Sequence, residues 1–415
     1  MCDKKVLVVK HDKGQSFYVS KALLKHNKLF KLFTCVYYND DKHNLTYYVY
    51  HIVPSFIKKR ILHRHQPELS EYVLTSCEVF GLLILFMYNI KFLSKIAEKI
   101  ERIHIYRFHK KAFKYALKND VDCIIVSAFC GVNNLKLLKK YNKSIKIIFD
   151  STGLNKQIVR EILEKEYSLY PDICKNINGV LHYNEKEEKL EIEHFKYFDY
   201  CITTGKFSKD IYIGHNYFDE NRIYDIFYGA DIDNFYYNKR RTASVLRCVY
   251  IGNINVLKGI PTLLKAFDEL VNDSVELTLI GNPIPSNMVS EKYKNIKFIG
   301  YVLHDLLPKV IHDYDIMIFP SLMDGFGLVV VEAMASGIPV ICSKNSGACD
   351  LIVDGVNGFV IDPYKYTDIV KKIRLINNNR SMIDGLSINA RKTAEKYNWD
   401  RYYDKYNSII ERIIK

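Results

Sequence analysis

The stretch Asp324-Gly-Phe-Gly-Leu-Val-Val-Val-Glu332 lies between two short apolar runs, one that ends at Phe319 and one that begins at Ile338. Runs of this length have the pattern of buried strands, and residues 328–336 between them have that of a helix. A buried strand followed by a glycine-containing loop and a helix is typical of a parallel sheet wrapped by helices. The stretch therefore predicts an α/β fold for this part of the chain.

The same alternation extends on both sides of this stretch. Several apolar runs end in Gly or Pro, which is where a doubly wound sheet turns into its binding loops. The predicted strands are 247–252, 275–281, 296–300, 315–319, 338–342 and 358–361. The predicted helical segments are 259–271, 304–313 and 328–336, with a turn or short helix near 286–294. This part of the chain is therefore predicted to be a Rossmann-like domain.

The first half of the chain also alternates, less regularly. Its predicted strands are 4–10, 32–38, 45–52, 122–127, 146–149 and 200–204, which predict a second Rossmann-like sheet. A polar stretch around 237–242 has the composition of a linker. We therefore predict a first domain over 1–235, a second domain over 236–395, and a helical segment over 396–415.

Composition limits the class of protein. A chain of 415 residues exceeds the size of one growing core, and 48% hydrophobic with 26% charged residues is typical of a globular protein. The ten cysteines are scattered singly, without a zinc-ligand spacing, which favours reduced thiols and a cytoplasmic protein. The longest apolar run, 79–90, is shorter than a membrane-spanning helix needs. We interpret the wider run 79–93 as a buried helix rather than a membrane contact.

Positive charge is concentrated at the start of the chain. Residues 1–150 hold 27 Lys and Arg against 12 Asp and Glu, a net charge of +15, whereas the remainder has a net charge of −2. The stretches 56–64 and 107–115 mix cations with aromatic residues, a pattern typical of surfaces that lie on anionic lipid. We therefore expect reversible, peripheral contact with the inner face of a membrane. Nucleic acid would also explain the charge, but no nucleic-acid-binding module accompanies it.

The central stretch also has the chemistry of an anion site. Gly325 and Gly327 allow the backbone to approach a ligand closely, and the helix that follows directs free N–H groups towards phosphate. Glu332 on that helix can accept hydrogen bonds from two vicinal hydroxyls. Lys258 stands at a predicted helix start, where a cation is unfavourable unless an anion binds there. Such a lysine can neutralise a leaving diphosphate.

In addition to these chemical features, the chain from about residue 203 to 399 resembles glycosyltransferase family 4, whose members are retaining enzymes with the two-domain GT-B fold. The matching motifs are Tyr228-Gly-Ala-Asp-Ile-Asp-Asn-Phe235, Tyr250-Ile-Gly-Asn-Ile-Asn-Val-Leu-Lys-Gly259, Leu279-Ile-Gly281, Phe298-Ile-Gly-Tyr-Val302, Pro320-Ser321, Asp324 to Met334, Gly337-Ile-Pro-Val340 and Asp354-Gly-Val-Asn-Gly358. The resemblance implies two Rossmann-like domains that face a central cleft, with the acceptor side over 1–235 and the nucleotide-sugar-binding side over 236–395. It also implies that the C-terminal helix over 396–415 packs back on the first domain. It further implies sugar transfer with retention, in glycan or polysaccharide biosynthesis, without a metal or a cofactor.

The resemblance also implies substrates and residue roles. The donor would be a UDP-sugar or GDP-mannose, and the acceptor a saccharide or a lipid-linked molecule. Glu332 would hold the ribose, and Asp324 would contact the donor sugar from the position where the family has Glu. The loop residues Gly325, Phe326, Gly327 and Leu328 would surround the donor. Lys258 would stabilise the diphosphate, while Asn253 stands where the family has Arg.

Two further candidates lie in the first domain. Gly14 is the one matching residue of the family's phosphate-facing glycine loop. Asp150 stands near the place of a family His, and a carboxylate that faces the cleft can orient or deprotonate an acceptor hydroxyl.

Simpler structural roles are also open. Asp324 can be a helix N-cap, Glu332 a solvated helix carboxylate, and Gly14 and Asp150 ordinary turn residues. Other functions on the same fold are a sugar-nucleotide epimerase, a glycan phosphorylase, or a binding module without catalysis.

Overall fold

The structure is a computed structural model that describes residues 4–11, 15–88, 90–151, 153–175, 177, 184–237, 244–283 and 294–415. In these ranges the chain forms two parallel sheets, each flanked by helices. The first sheet has the order β3-β2-β1-β4-β5-β6-β7. Its strands are β1 (Val6–Val9), β2 (Leu29–Thr34), β3 (Val73–Thr75), β4 (Cys123–Val126), β5 (Lys146–Asp150), β6 (Tyr200–Thr203) and β7 (Ile223–Asp225).

Helices connect these strands. Successive parallel strands need such crossovers, and the helices cover both faces of the sheet. They are α1 (Ser16–Lys25), α2 (Leu45–Ile52), α3 (Ser55–Leu62), α4 (Glu78–Met87), α5 (Ser94–Lys118), α6 (Val132–Tyr141), α7 (Lys156–Leu169), α8 (Pro171–Cys174), α9 (Glu185–Phe195) and α10 (Lys206–Gly214).

The second sheet has the order β10-β9-β8-β11-β12-β13 in the described residues. Its strands are β8 (Leu246–Ile251), β9 (Val275–Ile280), β10 (Ile296–Gly300), β11 (Ile316–Phe319), β12 (Val340–Ser343) and β13 (Gly358–Ile361). Its helices are α11 (Ile260–Glu269), α12 (Leu307–Val310), α13 (Leu328–Ala335), α14 (Tyr366–Asn378) and α15 (Met382–Ala394). The chain order of the strands reverses between β8 and β11, and ligands of open parallel sheets bind at such a switch point.

The last helix, α16 (Trp399–Ile414), returns to the first sheet. Its buried residues recur every three to four positions, and Asn398 caps it by accepting a hydrogen bond from the Arg401 N–H at 2.9 Å. The helix packs on α1, where the Tyr18 and Trp399 rings stack with their centroids 3.7 Å apart. Lys28 and Glu411 form an ion pair at the same contact, at 2.8 Å.

Two Rossmann-like domains are confirmed. The six strands predicted for the second sheet all exist, and none of their ends is shifted by more than two residues. The predicted helix at 286–294 lies outside the described residues apart from its last position. The domain boundary near residue 236 stays a prediction; it falls between Asp225, which ends the first sheet, and Leu246, which begins the second.

The strand predicted at 45–52 is wrong, because this segment is helix α2. Its aromatic and β-branched residues favour a strand by propensity. However, the Asn44 side chain accepts a hydrogen bond from the Tyr47 N–H at 3.1 Å and caps a helix instead. Strand β2 also begins and ends earlier than predicted, and the three-residue strands β3 and β7 were not predicted.

The apolar run that begins at Val79 is helical, but the prediction that it is buried is wrong. In α4, Ile84 and Met87 are buried, whereas Val79 is 65% exposed and Phe86 45% exposed. Nearly every side chain of this helix is apolar, so the face turned away from the domain is apolar too. In the described part of the chain, no helix combines the length and the apolar composition needed to cross a membrane.

Candidate functional site

A cavity of about 520 Å³ lies at the carboxyl ends of β8, β9, β10 and β11. We call it the interdomain cavity, because Gln15 and Tyr228 from the first part of the chain complete its wall. Its volume is in the range typical of small-molecule sites, and it lies at the switch point of the second sheet. The fold therefore brings the loops after four neighbouring strands to one place.

Most of the residues predicted from sequence meet in this cavity. Seven of them line it, namely Asn253, Lys258, Asp324, Phe326, Gly327, Leu328 and Glu332. Gly325 does not line it; its carbonyl oxygen accepts a hydrogen bond from the Thr204 hydroxyl at 2.7 Å and so links the loop to the first domain. Gly14 lies outside the described residues.

Gly327 shapes the loop before α13. Its φ of +87° is in the left-handed region, and an added Cβ would lie 2.9 Å from the Phe319 ring. A larger residue is therefore disfavoured both by backbone strain and by contact. Directly after it, Leu328 and Val329 start the helix and line the cavity. The first N–H groups of a helix have no acceptor within the helix, so this end can bind an anion.

Lys258 and Asp324 form an ion pair inside the cavity, between Nζ and Oδ2. Lys258 ends the 3-10 turn Val256–Lys258, which Asn255 caps by accepting a hydrogen bond from the Lys258 N–H at 3.0 Å. Oδ1 of Asp324 accepts a hydrogen bond from the Phe326 N–H at 3.2 Å. Asp324 therefore fixes its own loop and also neutralises the lysine while no anion is bound.

Glu332 has an unforeseen partner. Glu332 is only 8% exposed. Its Oε1 lies 2.9 Å from Nε2 of His304, a residue of the segment that follows β10. This hydrogen bond raises the pKa of His304, because the carboxylate stabilises the imidazolium form. The simple role of Glu332 as a solvated helix carboxylate does not fit its burial. The carboxylate lies where it can accept further hydrogen bonds from the cavity.

Asn253 stands on a loop that is held in place by an aromatic hydroxyl. The Tyr250 hydroxyl donates a hydrogen bond to the backbone oxygen of Asn253 at 2.7 Å. This bond positions the loop between β8 and Lys258 against the cavity. The backbone of Asn253 is thus fixed even though its side chain carries no charge.

Asp150 does not face the cleft, contrary to the sequence-based prediction. It is 3% exposed, and it accepts hydrogen bonds from the Ser127 hydroxyl at 3.2 Å and the Tyr406 hydroxyl at 3.4 Å. Burial raises the pKa of this carboxyl to about 6. Because β5 ends at Asp150 and α16 crosses over that end, the carboxylate links the C-terminal helix to the first sheet. It is not among the residues lining the interdomain cavity.

Within the described residues, no group of three or more His, Cys, Asp or Glu side chains is placed to hold a metal ion. Asp231 and Asp233 have the spacing of an Asp-x-Asp motif, but neither lines the interdomain cavity, and Oδ2 of Asp231 accepts a hydrogen bond from Asn234.

Sequence reasoning assigned no site role to several further residues that line the cavity, among them Gln15, Tyr228, Tyr301 and His304. Gln15 precedes α1, and Tyr301 and His304 follow β10. The available signal was position, since these residues follow strands at their carboxyl ends, where the loops of a parallel sheet converge. Nothing in the spacing of the sequence pairs His304 with Glu332.

Comparisons with known proteins agree with this geometry. Residues 243–393 match the family model described as glycosyl transferases group 1. The capsular polysaccharide biosynthesis glycosyltransferase CapM of Staphylococcus aureus is 28% identical over 176 residues, which is 39% of this chain and 46% of CapM. This chain spans about half of the length of the curated relatives it matches, or less.

Solved structures cover the whole chain. Sucrose-phosphate synthase from Thermosynechococcus elongatus superimposes with a TM-score of 0.65 at 18% identity, over 99% of both chains. Anabaena HepE in complex with UDP-glucose superimposes with a TM-score of 0.61 at 14% identity, over 98% of this chain and 99% of HepE. At these identities the superpositions establish the fold. The chain therefore has the GT-B fold of two Rossmann-like domains, and its residues 243–393 are similar to the glycosyl transferases group 1 family.

Proposed function

We propose that this protein is a glycosyltransferase that moves a sugar from a nucleotide-sugar donor to a hydroxyl group of a saccharide or lipid-linked acceptor, in glycan or polysaccharide biosynthesis. The observation that carries the proposal is the arrangement in the interdomain cavity. A buried carboxylate, Glu332, lies one turn from the amino end of α13, and the Lys258 ammonium faces the same space.

Each part of a nucleotide sugar has a partner in this arrangement. The ribose hydroxyls would donate to Glu332, and the diphosphate would accept from the first N–H groups of α13 and from Lys258. Asp324, which pairs with Lys258, would then meet the sugar or release the lysine to the diphosphate. Negative charge grows on the diphosphate as the sugar leaves, so the lysine would act most strongly in the transition state.

The relatives support the donor class. HepE has been solved with UDP, and also with UDP-glucose, and it has the same fold as this chain. We propose a UDP-sugar or GDP-mannose as donor, retention of the anomeric configuration as in family 4, and a reaction that uses neither a metal nor a further cofactor. The acceptor would bind mainly to residues 1–235.

Product analysis tests the proposal. The protein is incubated with a panel of UDP-sugars and GDP-mannose, together with saccharide acceptors and membrane lipid extract, and released nucleoside diphosphate and new glycosidic bonds are both measured. Transfer predicts that both appear together. An isomerised sugar nucleotide would instead indicate an epimerase, and a sugar phosphate formed from glycan and phosphate would indicate a phosphorylase. Donor binding without any product would indicate a binding module.

A further inference from the structure

The two domains touch backbone to backbone beside the donor loop, residues 324–327. Gly205 follows β6 of the first sheet, and Gly347 begins the 3-10 turn Gly347–Leu351 after β12 of the second. A Cβ added to Gly205 would lie 2.5 Å from Cα of Gly347. One added to Gly347 would lie 1.9 Å from the Thr204 carbonyl oxygen and 2.5 Å from that of Gly325. A side chain at either glycine would block this approach, so the two domains meet here at van der Waals distance.

The Thr204 hydroxyl links the two domains at this point. It donates a hydrogen bond to the Gly325 carbonyl oxygen at 2.7 Å, and Thr204 is only 2% exposed. Because the pair is buried, water does not readily replace the hydroxyl if it is removed. Next to it, the Lys206 N–H at the start of α10 donates to Oδ2 of Asp350, in the second domain, at 2.7 Å. The two bonds anchor the end of β6 on the second domain.

The donor loop is also held by its own domain. The Asp324 N–H donates to the Asn345 carbonyl oxygen at 3.0 Å. The Phe326 carbonyl oxygen accepts from the Ala348 N–H at 2.7 Å. The segment after β12 therefore fixes residues 324 and 326, whereas Thr204 of the first domain fixes the carbonyl group of the residue between them.

This loop carries groups that act on the donor in the proposed function. Asp324 pairs with Lys258, and Gly327 directly precedes α13, whose first residues line the interdomain cavity. Because the peptide group is rigid, a displaced Gly325 carbonyl shifts the loop backbone on either side of it. Groups that act on a reacting substrate must be held close to their productive geometry, and small misplacements lower the rate. A contact made by the first domain thus bears on the chemistry of the second.

We propose that Thr204 is a positioning residue for sugar transfer. From the first domain, its hydroxyl holds the donor loop in the conformation in which Asp324 and Lys258 meet the donor. The inference rests on the proposed function and adds to it a residue that does not line the interdomain cavity. Since the acceptor is proposed to bind mainly to residues 1–235, this contact also sets the donor groups relative to the acceptor side.

Three variants of the full chain test this role. Thr204→Val removes the hydroxyl and keeps the shape of the side chain, whereas Thr204→Ser keeps the hydroxyl. The matched control is Thr203→Val, because Thr203 is also buried and its hydroxyl donates to the Tyr224 carbonyl oxygen at 3.4 Å, within the first sheet. Urea denaturation measures stability, and hydrogen exchange measures the protection of the amides of residues 322–328. Steady-state kinetics uses the donor and acceptor identified by the product analysis.

Thr204→Val is expected to lower kcat about tenfold and to change the KM for the donor less than about twofold, because a misaligned loop loses interactions mainly in the transition state. Amide exchange over residues 322–328, measured without ligand, should become about fivefold faster, as for one lost hydrogen bond. Thr204→Ser should restore both values to the wild-type level. Thr203→Val loses stability through its own hydrogen bond but should keep the wild-type kcat and the wild-type exchange of the loop.

Four results would overturn the positioning role. They are an equal loss of kcat in Thr204→Val and Thr203→Val, an effect of Thr204→Val on the KM alone, a loss that Thr204→Ser does not restore, and unchanged exchange of the loop in Thr204→Val. Each is measured against a wild type that transfers sugar, so each leaves the proposed function standing. A wild type that transfers no sugar defeats the proposed function, and the positioning role with it, whatever the exchange of the loop.

Discussion

The imidazole of His304 and the carboxylate of Glu332 share a hydrogen bond in the interdomain cavity, with Nε2 of the histidine 2.9 Å from Oε1 of the glutamate. His304 lies in the segment after β10, and Glu332 lies on α13, which follows β11. The histidine is therefore hydrogen-bonded to one of the two Glu332 oxygens that we propose bind the ribose hydroxyls. A bound donor would compete with it or bind beside it.

This contact predicts a pH dependence of donor binding. The pKa of His304 is raised first by its hydrogen bond to Glu332, with Asp305 and Asp231 adding to the effect. The charged contact is complete below the ordinary histidine pKa of about 6.5 and weakens as the pH rises through the raised value. We expect donor affinity to increase about threefold over that rise, measured by calorimetry. This increase should be absent in the His304→Gln variant. If donor affinity rises equally with pH in both proteins, His304 and the donor do not compete for Glu332.

The Lys258 ammonium is expected to act mainly on the chemical step. Lys258→Gln should lower kcat about 100-fold or more and change the KM for the donor less, because the lysine meets charge that develops in the transition state. Lys265→Gln, on the solvent side of α11, is the matched control and should retain activity. Steady-state kinetics with the preferred donor measures both. A higher KM for the donor with an unchanged kcat would instead show that Lys258 contributes only to binding the donor in the ground state.

Asp150 is expected to stabilise the fold. Asp150→Ala leaves the Ser127 and Tyr406 hydroxyls without their acceptor and should lower the free energy of unfolding by about 2 to 3 kcal/mol. Asp150→Asn keeps one acceptor oxygen and should cost less. Urea denaturation measures the stability, and donor binding should not change. Loss of transfer in a stable Asp150→Asn protein would instead support the acceptor role predicted from the sequence.

Glu166 links α7 to the second domain and predicts a pH-dependent stability. Its Oε1 accepts hydrogen bonds from the Thr262 hydroxyl at 2.8 Å and the Thr262 N–H at 3.2 Å, at the start of α11. Burial raises its pKa to about 7. The folded protein therefore holds a proton that the unfolded chain releases between about pH 4.5 and 7, so stability falls as pH rises through this window.

Glu166→Gln removes this titration. At about pH 8 the variant should be more stable than the wild type by up to about 3 kcal/mol, and at about pH 4.5 the two should be similar, as measured by urea denaturation. Glu164→Gln, an exposed neighbour on α7, is the control and should follow the wild-type curve. A Glu166→Gln protein that is less stable at both pH values would show that the carboxylate is charged and stabilising.

The second sheet was predictable because most of its strands are buried on both faces, so they are short apolar runs, and several of these runs end in Gly or directly before Pro. The site residues Lys258, Asp324 and Glu332 were found because they lie in the loop and the first helical turns that follow such runs. Helix α2 was predicted as a strand because its Tyr, Val and Ile residues favour strands. The observed helix is instead capped by the Asn44 side chain, a contact that the strand pattern does not show.

Long-range pairing could not be predicted. The contact of His304 with Glu332 and that of Asp150 with Tyr406 join residues 28 and 256 positions apart, and no local pattern encodes either. The solvent exposure of α4 could not be predicted either. In a helix whose side chains are nearly all apolar, no polar face indicates which side is exposed to solvent. Burial of such a segment depends on what packs against it.

The most direct test of the account is calorimetric titration of UDP, UDP-sugars and GDP-mannose into the wild-type protein, Glu332→Gln and the control Glu276→Gln. Glu276 is an exposed carboxylate of β9 that pairs with Lys297 outside the cavity. We predict that at least one nucleotide sugar binds the wild type and the control alike, and that Glu332→Gln weakens it about tenfold or more, as for a charge-assisted hydrogen bond lost to the ribose. Unchanged affinity in Glu332→Gln would contradict the assignment of this cavity as the donor site.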